Sequence, residues 1–263
     1  MVLGRFGLKF SKAPRTDPGD RVYAIGDIHG RIDLLNLLLA KMEAHSQSLP
    51  PCQDVHVIIL GDMIDRGPHS AEVVSLIRKY QRGSSSLIAL KGNHEDLLLQ
   101  ALEGYPGILR AWMKTGGEQT LRSFGIDPAE LGDNPLEAAR IIERAIPAPL
   151  IGWIRDLPLT ARSGDYFFCH AGIRPGVALR KQASNDLMWI REDFLNHEGD
   201  HGAVIVHGHN IHTEVQMHAN RIGIDTGAYR SGVLTALYLE DDKREILSVG
   251  LPASDAARAR VAV

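Results

Sequence analysis

Three short apolar runs near the start of the chain each stop at a glycine followed by a polar residue, and each gives way to helical spacing. Val22 to Ile25 runs into Gly26-Asp27 and then Leu34, Leu35, Leu38 and Met42. Val55 to Leu60 runs into Gly61-Asp62 and a helix from about Ser70 to Tyr80. Leu87 to Leu90 runs into Gly92-Asn93 and a helix beginning near Glu95. Strand, loop and helix in repeated succession predict an α/β fold, with parallel strands in a sheet and helices on its faces. In such folds ligands bind at the carboxyl ends of the strands. Asp27, Asp62 and Asn93 are therefore expected at one sheet edge, although 35 and 31 residues separate them.

Residues from about 103 to 158 lack such runs, contain Gly116-Gly117 and Pro147 to Pro149, and read as a helical insertion that caps the site. Strands then resume: Tyr166 to Cys169 ends at His170, Val204 to Val206 ends at His207, and Arg221 to Ile224 and Val233 to Glu240 follow. This half reads as more antiparallel, so two packed sheets are expected. A tail from Ala253, rich in Ala and Arg, is expected to fray. With 263 residues and 44% hydrophobic content the chain suits one domain, residues 1–263, with a core over about 20–245.

Composition narrows the function. The net charge of −3, from 29 basic and 32 acidic side chains, creates no field that would gather a nucleic acid. Single-strand binding would need basic surface interleaved with aromatics, and Arg174, Arg180 and Lys181 do not supply it. Cys52 and Cys169 are the only cysteines, which excludes a disulfide framework and a thiolate zinc site and fits a reducing compartment. Met1 to Asp20 carries Arg5, Lys9, Lys12 and Arg15 without a continuous apolar core, and no later run approaches a membrane span. A cytoplasmic protein without a membrane partner is expected.

The chemistry-bearing residues sit at the strand ends. Gly26-Asp27-Ile28-His29-Gly30 places a carboxylate and an imidazole on alternate positions of a tight loop; alone it could be a capped turn. Gly61-Asp62-Met63-Ile64-Asp65-Arg66-Gly67 then ends an apolar strand with two carboxylates and a guanidinium, a costly group to assemble without a ligand. Gly92-Asn93-His94-Glu95 adds an amide oxygen and another imidazole, and His170-Ala171-Gly172 and Gly208-His209 add two more. Carboxylate, imidazole and amide donors without thiolate suit manganese, with iron or zinc possible, and a bridging carboxylate suits two ions. Two ions about 3.5–4 Å apart can activate a shared water and clamp phosphoryl oxygens. Phosphoester hydrolysis is the chemistry implied.

These five segments resemble, in order and spacing, the PPP-type serine/threonine protein phosphatases and their bacterial members, over roughly residues 20–240. The resemblance implies a calcineurin-like four-layer sandwich: two mixed β-sheets flanked by helices, with the metal site at one edge. It further implies Asp27 and His29 as ligands of one metal, Asp62 as the bridge, and Asn93, His170 and His209 as ligands of the other. His94 is implied as general acid, oriented by Asp65, with Arg66 and Arg191 on the phosphate. His207 would lie behind the ligands, His212 is off the expected spacing by one residue, and Cys169 reads as a buried, inert thiol.

The implied partner is a phosphorylated protein or peptide, with small phosphoesters or nucleotides also open. The rival reading is a symmetrical dinucleoside tetraphosphate hydrolase. That family typically has Asp where this chain has Glu95 and usually lacks the aspartate matching Asp65. A non-catalytic module that recognises phosphorylated partners is a third reading, opposed by the retention of His94, Asp65 and Arg66. Oligomeric state and regulation are not legible.

Overall fold

The computed structural model describes residues 13–250 apart from Pro106. The expectations for the first residues and for the tail from Ala253 lie outside that range. Three strand and helix pairs open the fold: β1 (Asp20–Ile25), α1 (Ile32–Ser48), β2 (Asp54–Ile59), α2 (Ser70–Gly83), β3 (Leu87–Ala89) and α3 (Asn93–Leu102). The insertion follows as α4 (Ile108–Trp112), a wide turn over Met113–Gly117, α5 (Glu118–Ser123), a 3-10 turn at Pro128–Leu131, α6 (Pro135–Ala145) and α7 (Ala148–Arg155). Next come β4 (Thr160–Ser163), β5 (Tyr166–Cys169), α8 (Ser184–Trp189), α9 (Glu192–Leu195) and β6 (Val204–His207). The described chain closes with β7 (Gln216–Met217), β8 (Arg221–Gly223), α10 (Ala228–Ser231), β9 (Val233–Glu240) and β10 (Lys243–Gly250).

The strands form two mixed five-stranded sheets, ordered β10-β9-β1-β2-β3 and β4-β5-β6-β8-β7. β1, β2 and β3 run parallel, as the strand-helix succession requires. The second half is the more antiparallel one, as expected, through β4, β7, β9 and β10, although β5, β6 and β8 form a parallel centre in the second sheet. The reason is connectivity. The chain leaves β5 through α8 and α9 before returning as β6, a crossover that delivers the next strand in the same direction. The antiparallel pair β9 and β10 instead joins the first sheet, with β9 against β1.

Alternation along each strand sorts its side chains into layers. Tyr23, Ile25, Ile59, Ala236 and Tyr238 face helices, packing with Leu34, Leu35, Leu38 and Met42 of α1 and Val73, Val74 and Ile77 of α2. Their neighbours Val22, Ala24, Ile58, Leu237 and Leu239 point the other way and meet Tyr166, Phe168, Val204, Val206 and Ile222 between the sheets. On the far side, Phe167, Cys169 and Ile205 pack with Leu187, Ile190 and Phe194 of the α8–α9 segment. Three apolar seams thus separate helix, sheet, sheet and helix layers. The insertion joins the first seam through Trp112, Leu121, Ile142 and Ile154. Among the described residues no helix is long and apolar enough to cross a membrane.

Because Phe168 is fully buried between the sheets, Phe168→Ala should lower unfolding free energy by about 3–5 kcal/mol. Denaturant titration reads this as a lower midpoint at unchanged slope; an unaltered midpoint would remove Phe168 from the seam.

Candidate active site

The strand-end loops lock onto one another through main-chain bonds. The amides of Ile28 and His29 both donate to the carbonyl of Asp62, at 3.1 and 2.9 Å, and Gly30 donates to Met63 at 2.9 Å. Left-handed backbone concentrates here: His29, Asp62, Asp65, Arg66 and His209 have φ of 47°, 47°, 72°, 68° and 64°. Each such non-glycine residue costs about 1–3 kcal/mol, which the surrounding bonds must offset. Two glycines are required by proximity. A Cβ at Gly92 would collide with Asp62 Oδ1, and one at Gly208 with Asp27 Oδ1.

Asp62 stands at the centre with its two oxygens facing opposite groups. Oδ2 lies 3.6 Å from His29 Nε2 and 3.7 Å from His94 Nε2, and Oδ1 lies 3.4 Å from His170 Nε2. Asn93 Oδ1 is 2.8 Å from both His170 Nε2 and His209 Nδ1. His29 and His170 turn their Nδ1 atoms to the carbonyls of Ile64 and Leu60, at 2.8 and 2.9 Å. Donation to those carbonyls fixes the tautomer and leaves the Nε2 lone pairs directed at the oxygens of Asp62 and Asn93. Apart from the Arg66 guanidinium at His29 Nε2, acceptors converge on acceptors, which is the arrangement a cation satisfies. His29, Asp62 and His94 form one group with all donor atoms within 4.8 Å of one another, and Asp62, His170 and His209 form a second. The buried Nε2 of His209 has no hydrogen-bond partner.

Electrostatics agree with a ligand role. Burial, reinforced by neighbouring histidines, pushes His29 and His170 below the usual imidazole range and His209 down to about 2, which disfavours the charged rings. Burial pushes Asp62 up, but His170, His94 and His29 outweigh it and keep the carboxyl below its ordinary value. Asp27 belongs to neither compact group. Its carboxylate accepts the His209 amide at 3.2 and 3.1 Å, and burial, then Asp225 and Asp62, push it well up. Asp225 is itself pushed up to about 6, chiefly by burial. The donor set, carboxylate and imidazole around a shared aspartate, fits two divalent ions with Asp62 between them.

His94 faces this centre with Nε2 and reaches Asp65 Oδ2 with Nδ1 at 2.6 Å. Burial opposes a charged His94, but Asp62 and Asp65 outweigh it and raise its pKa. Trp112 Nε1 donates to the same Asp65 oxygen at 2.8 Å, and Thr120 Oγ1 donates to the other at 2.5 Å. Arg66 donates to His29 Nε2 at 2.8 Å and lays its guanidinium 4.7 Å over the ring of half-buried Tyr229. Arg191 is exposed at the start of α9, close enough for its charge to contribute to the depression of His209.

Residues expected to be bystanders behave as such. His207 is buried against Phe194, bonds Gly208 O with Nδ1 at 3.0 Å, and is outside both groups. His212 is held by its amide, which donates to Asp225 O at 3.0 Å. Cys169 is buried, and burial pushes its thiol up, leaving it unreactive. Glu95, Trp112, Thr120, Asp225 and Tyr229 complete the site and were not singled out as site residues from sequence. Only Glu95 had a local signal, an acid three residues into a helix that begins after Gly92, the capping-box position. Its carboxylate accepts the amides of Asp62, Met63, Ile64 and Gly92 at 3.0, 2.8, 3.3 and 2.9 Å.

Comparison with known proteins identifies a family and several relatives. The calcineurin-like phosphoesterase family matches residues 20–234. The serine/threonine-protein phosphatase 1 of Salmonella typhimurium is 31% identical over 222 residues, covering 81% of this chain and 89% of that protein. A symmetrical bis(5'-nucleosyl)-tetraphosphatase of Vibrio cholerae is 30% identical over 167 residues, covering 63% of this chain and 50% of that protein. A protein serine/threonine phosphatase structure from Saccharomyces cerevisiae overlays with a TM-score of 0.56 at 14% identity, covering 92% of this chain and 86% of that one, a likeness of fold alone.

With Asp62 between both groups, Asp62→Asn should weaken both ions together. Metal analysis after manganese loading and desalting should find neither ion retained; two tightly held ions in the variant would remove Asp62 from the bridging position.

Proposed function

The chain belongs to the calcineurin-like phosphoesterase family, and from that premise we propose that it is a serine/threonine protein phosphatase acting by in-line attack of water on phosphorus. The observation that carries this reading is the buried pair His94 and Asp65, 2.6 Å apart. Serine and threonine alkoxides are poor leaving groups and need a proton as the P–O bond breaks. Cleavage of a dinucleoside tetraphosphate expels a phosphate oxygen that leaves as a stable anion. An imidazole held by a buried carboxylate, with its other nitrogen free to deliver a proton, matches the first demand more closely than the second.

In this reading Asp27 and His29 would hold one ion, Asn93, His170 and His209 would hold the other, and Asp62 would be shared by both. When bound, the ions, for which manganese is the first candidate with iron and zinc open, would supply an activated water and neutralise the phosphoryl oxygens. His94 gives its Nε2 proton to the leaving oxygen while Asp65 steadies Nδ1. Arg66, already against His29 and Tyr229, grips the phosphate as a planar fork, and Arg191 assists from the start of α9.

The dinucleotide reading retains support from the similarity to tetraphosphatases, so the discriminating experiment offers both substrates. Metal-stripped protein with added manganese should hydrolyse a phosphoserine or phosphothreonine peptide faster than diadenosine tetraphosphate at equal concentration. Preference for the dinucleotide would replace the substrate class, and turnover of neither would favour a non-catalytic module that recognises phosphorylated partners.

His94→Asn should retain bound metal and lower turnover by about 10²–10⁴-fold on substrates with poor leaving groups, and less on 4-nitrophenyl phosphate. Equal losses on both would reject its role as acid.

A further inference from the structure

The inserted segment reaches into the site. Of the hydrogen bonds that the Asp65 carboxylate accepts from side chains, one comes from His94, and the other two come from the insertion, through Trp112 at 2.8 Å and Thr120 at 2.5 Å. Eight residues of unbroken helix would separate Trp112 from Thr120 by about 12 Å along the axis. Gly116, with φ of 113°, breaks the helix between them, and both side chains reach one carboxylate. The indole is fully buried and lies directly on Gly117, where an added Cβ would stand 2.6 Å from two ring carbons. Thr115 Oγ1 caps the Trp112 carbonyl at 2.8 Å, and the same turn takes the Arg66 amide through Gly116 O at 3.1 Å. Thr120 also receives the Asp65 amide at 2.9 Å, so that residue is held by backbone and side chain together.

We propose that Trp112 and Thr120 are positioning residues of the acid pair, fixing the Asp65 carboxylate so that it presents His94 to the leaving oxygen. This rests on the reading of His94 as general acid. A carboxylate with three directed donors has one orientation available. Without the indole N–H or the hydroxyl it can rotate, and His94 loses the partner that sets its ring direction. The polar groups of both side chains bond Asp65 rather than Arg66, so their removal is expected to leave phosphate binding at the parent level.

The test uses the manganese-loaded full chain and a series of aryl phosphates from 4-nitrophenyl to phenyl phosphate. Trp112→Phe removes the N–H while keeping an aromatic ring, and Thr120→Val removes the hydroxyl at constant shape. Each should lower kcat on phenyl phosphate about tenfold more than on 4-nitrophenyl phosphate, with KM and metal content at the parent level. Thr120→Ser, which keeps the hydroxyl, should restore the parent profile. In a His94→Asn background Trp112→Phe should add no further loss. Equal losses across the series, or an undiminished loss in that background, would overturn the proposal. If His94→Asn is itself insensitive to the leaving group, the acid reading fails first and takes this one with it. Should Trp112→Phe not fold, Thr120→Val and Thr120→Ser decide the matter.

Discussion

The carboxylate of Glu95 gathers four backbone amides, those of Asp62, Met63, Ile64 and Gly92, and ties the loop after β2 to the start of α3. Those amides lie where two strands have ended, so no ladder can satisfy them, and burial forbids water from doing so. Asp62 needs this support because its left-handed backbone turns the side chain into the site. Asp62 then returns the bond, accepting the His94 amide with Oδ1 at 3.1 Å. The positions of Asp62, of the His94–Asp65 pair and of Arg66 thus depend on one side chain whose own hydrogen bonds are to backbone amides. Burial, aided by Asp62, pushes Glu95 up to about 7, a measure of how costly it is to keep this charge in the interior.

Around that frame the site collects charge in a dry place. Asp27, Asp62 and Asp225 are all buried, and burial together with mutual repulsion pushes Asp27 and Asp225 up. Such a concentration of acid is tolerable only with protons or cations beside it. Neutral histidines turned inward by carbonyls at their far nitrogens fit cations as that balancing charge, and the calcineurin-like family uses a dinuclear divalent centre.

Much of this was legible before any coordinates. Metal-binding side chains are of a few residue types, and a strand that stops at glycine and then offers one of them leaves a trace in the one-dimensional pattern, which is how Asp27, Asp62 and Asn93 are legible as meeting at one sheet edge. Trp112 and Thr120 leave no such trace. A tryptophan among apolar neighbours and a threonine in a short helix look like packing, and their meaning comes from contacts across 47 and 55 residues. β10 escaped because it is an edge strand whose Lys243, Arg244 and Glu245 blur the alternation that marks a half-buried strand. The parallel centre of the second sheet escaped because direction is set by what lies between strands, here two short helices that give weak periodic signals.

The pairing of β1 with β9 has a consequence for synthesis. Ile25 lies opposite Ala236, so the strand that covers one edge of β1 is made long after it. At about 5–20 residues per second the intervening chain takes roughly 10–40 s to emerge. During that interval a strand that is apolar on both faces presents unpaired amides and carbonyls to whatever is nearby. A nascent chain of this topology therefore carries one open pairing edge on its first strand until its last strands emerge.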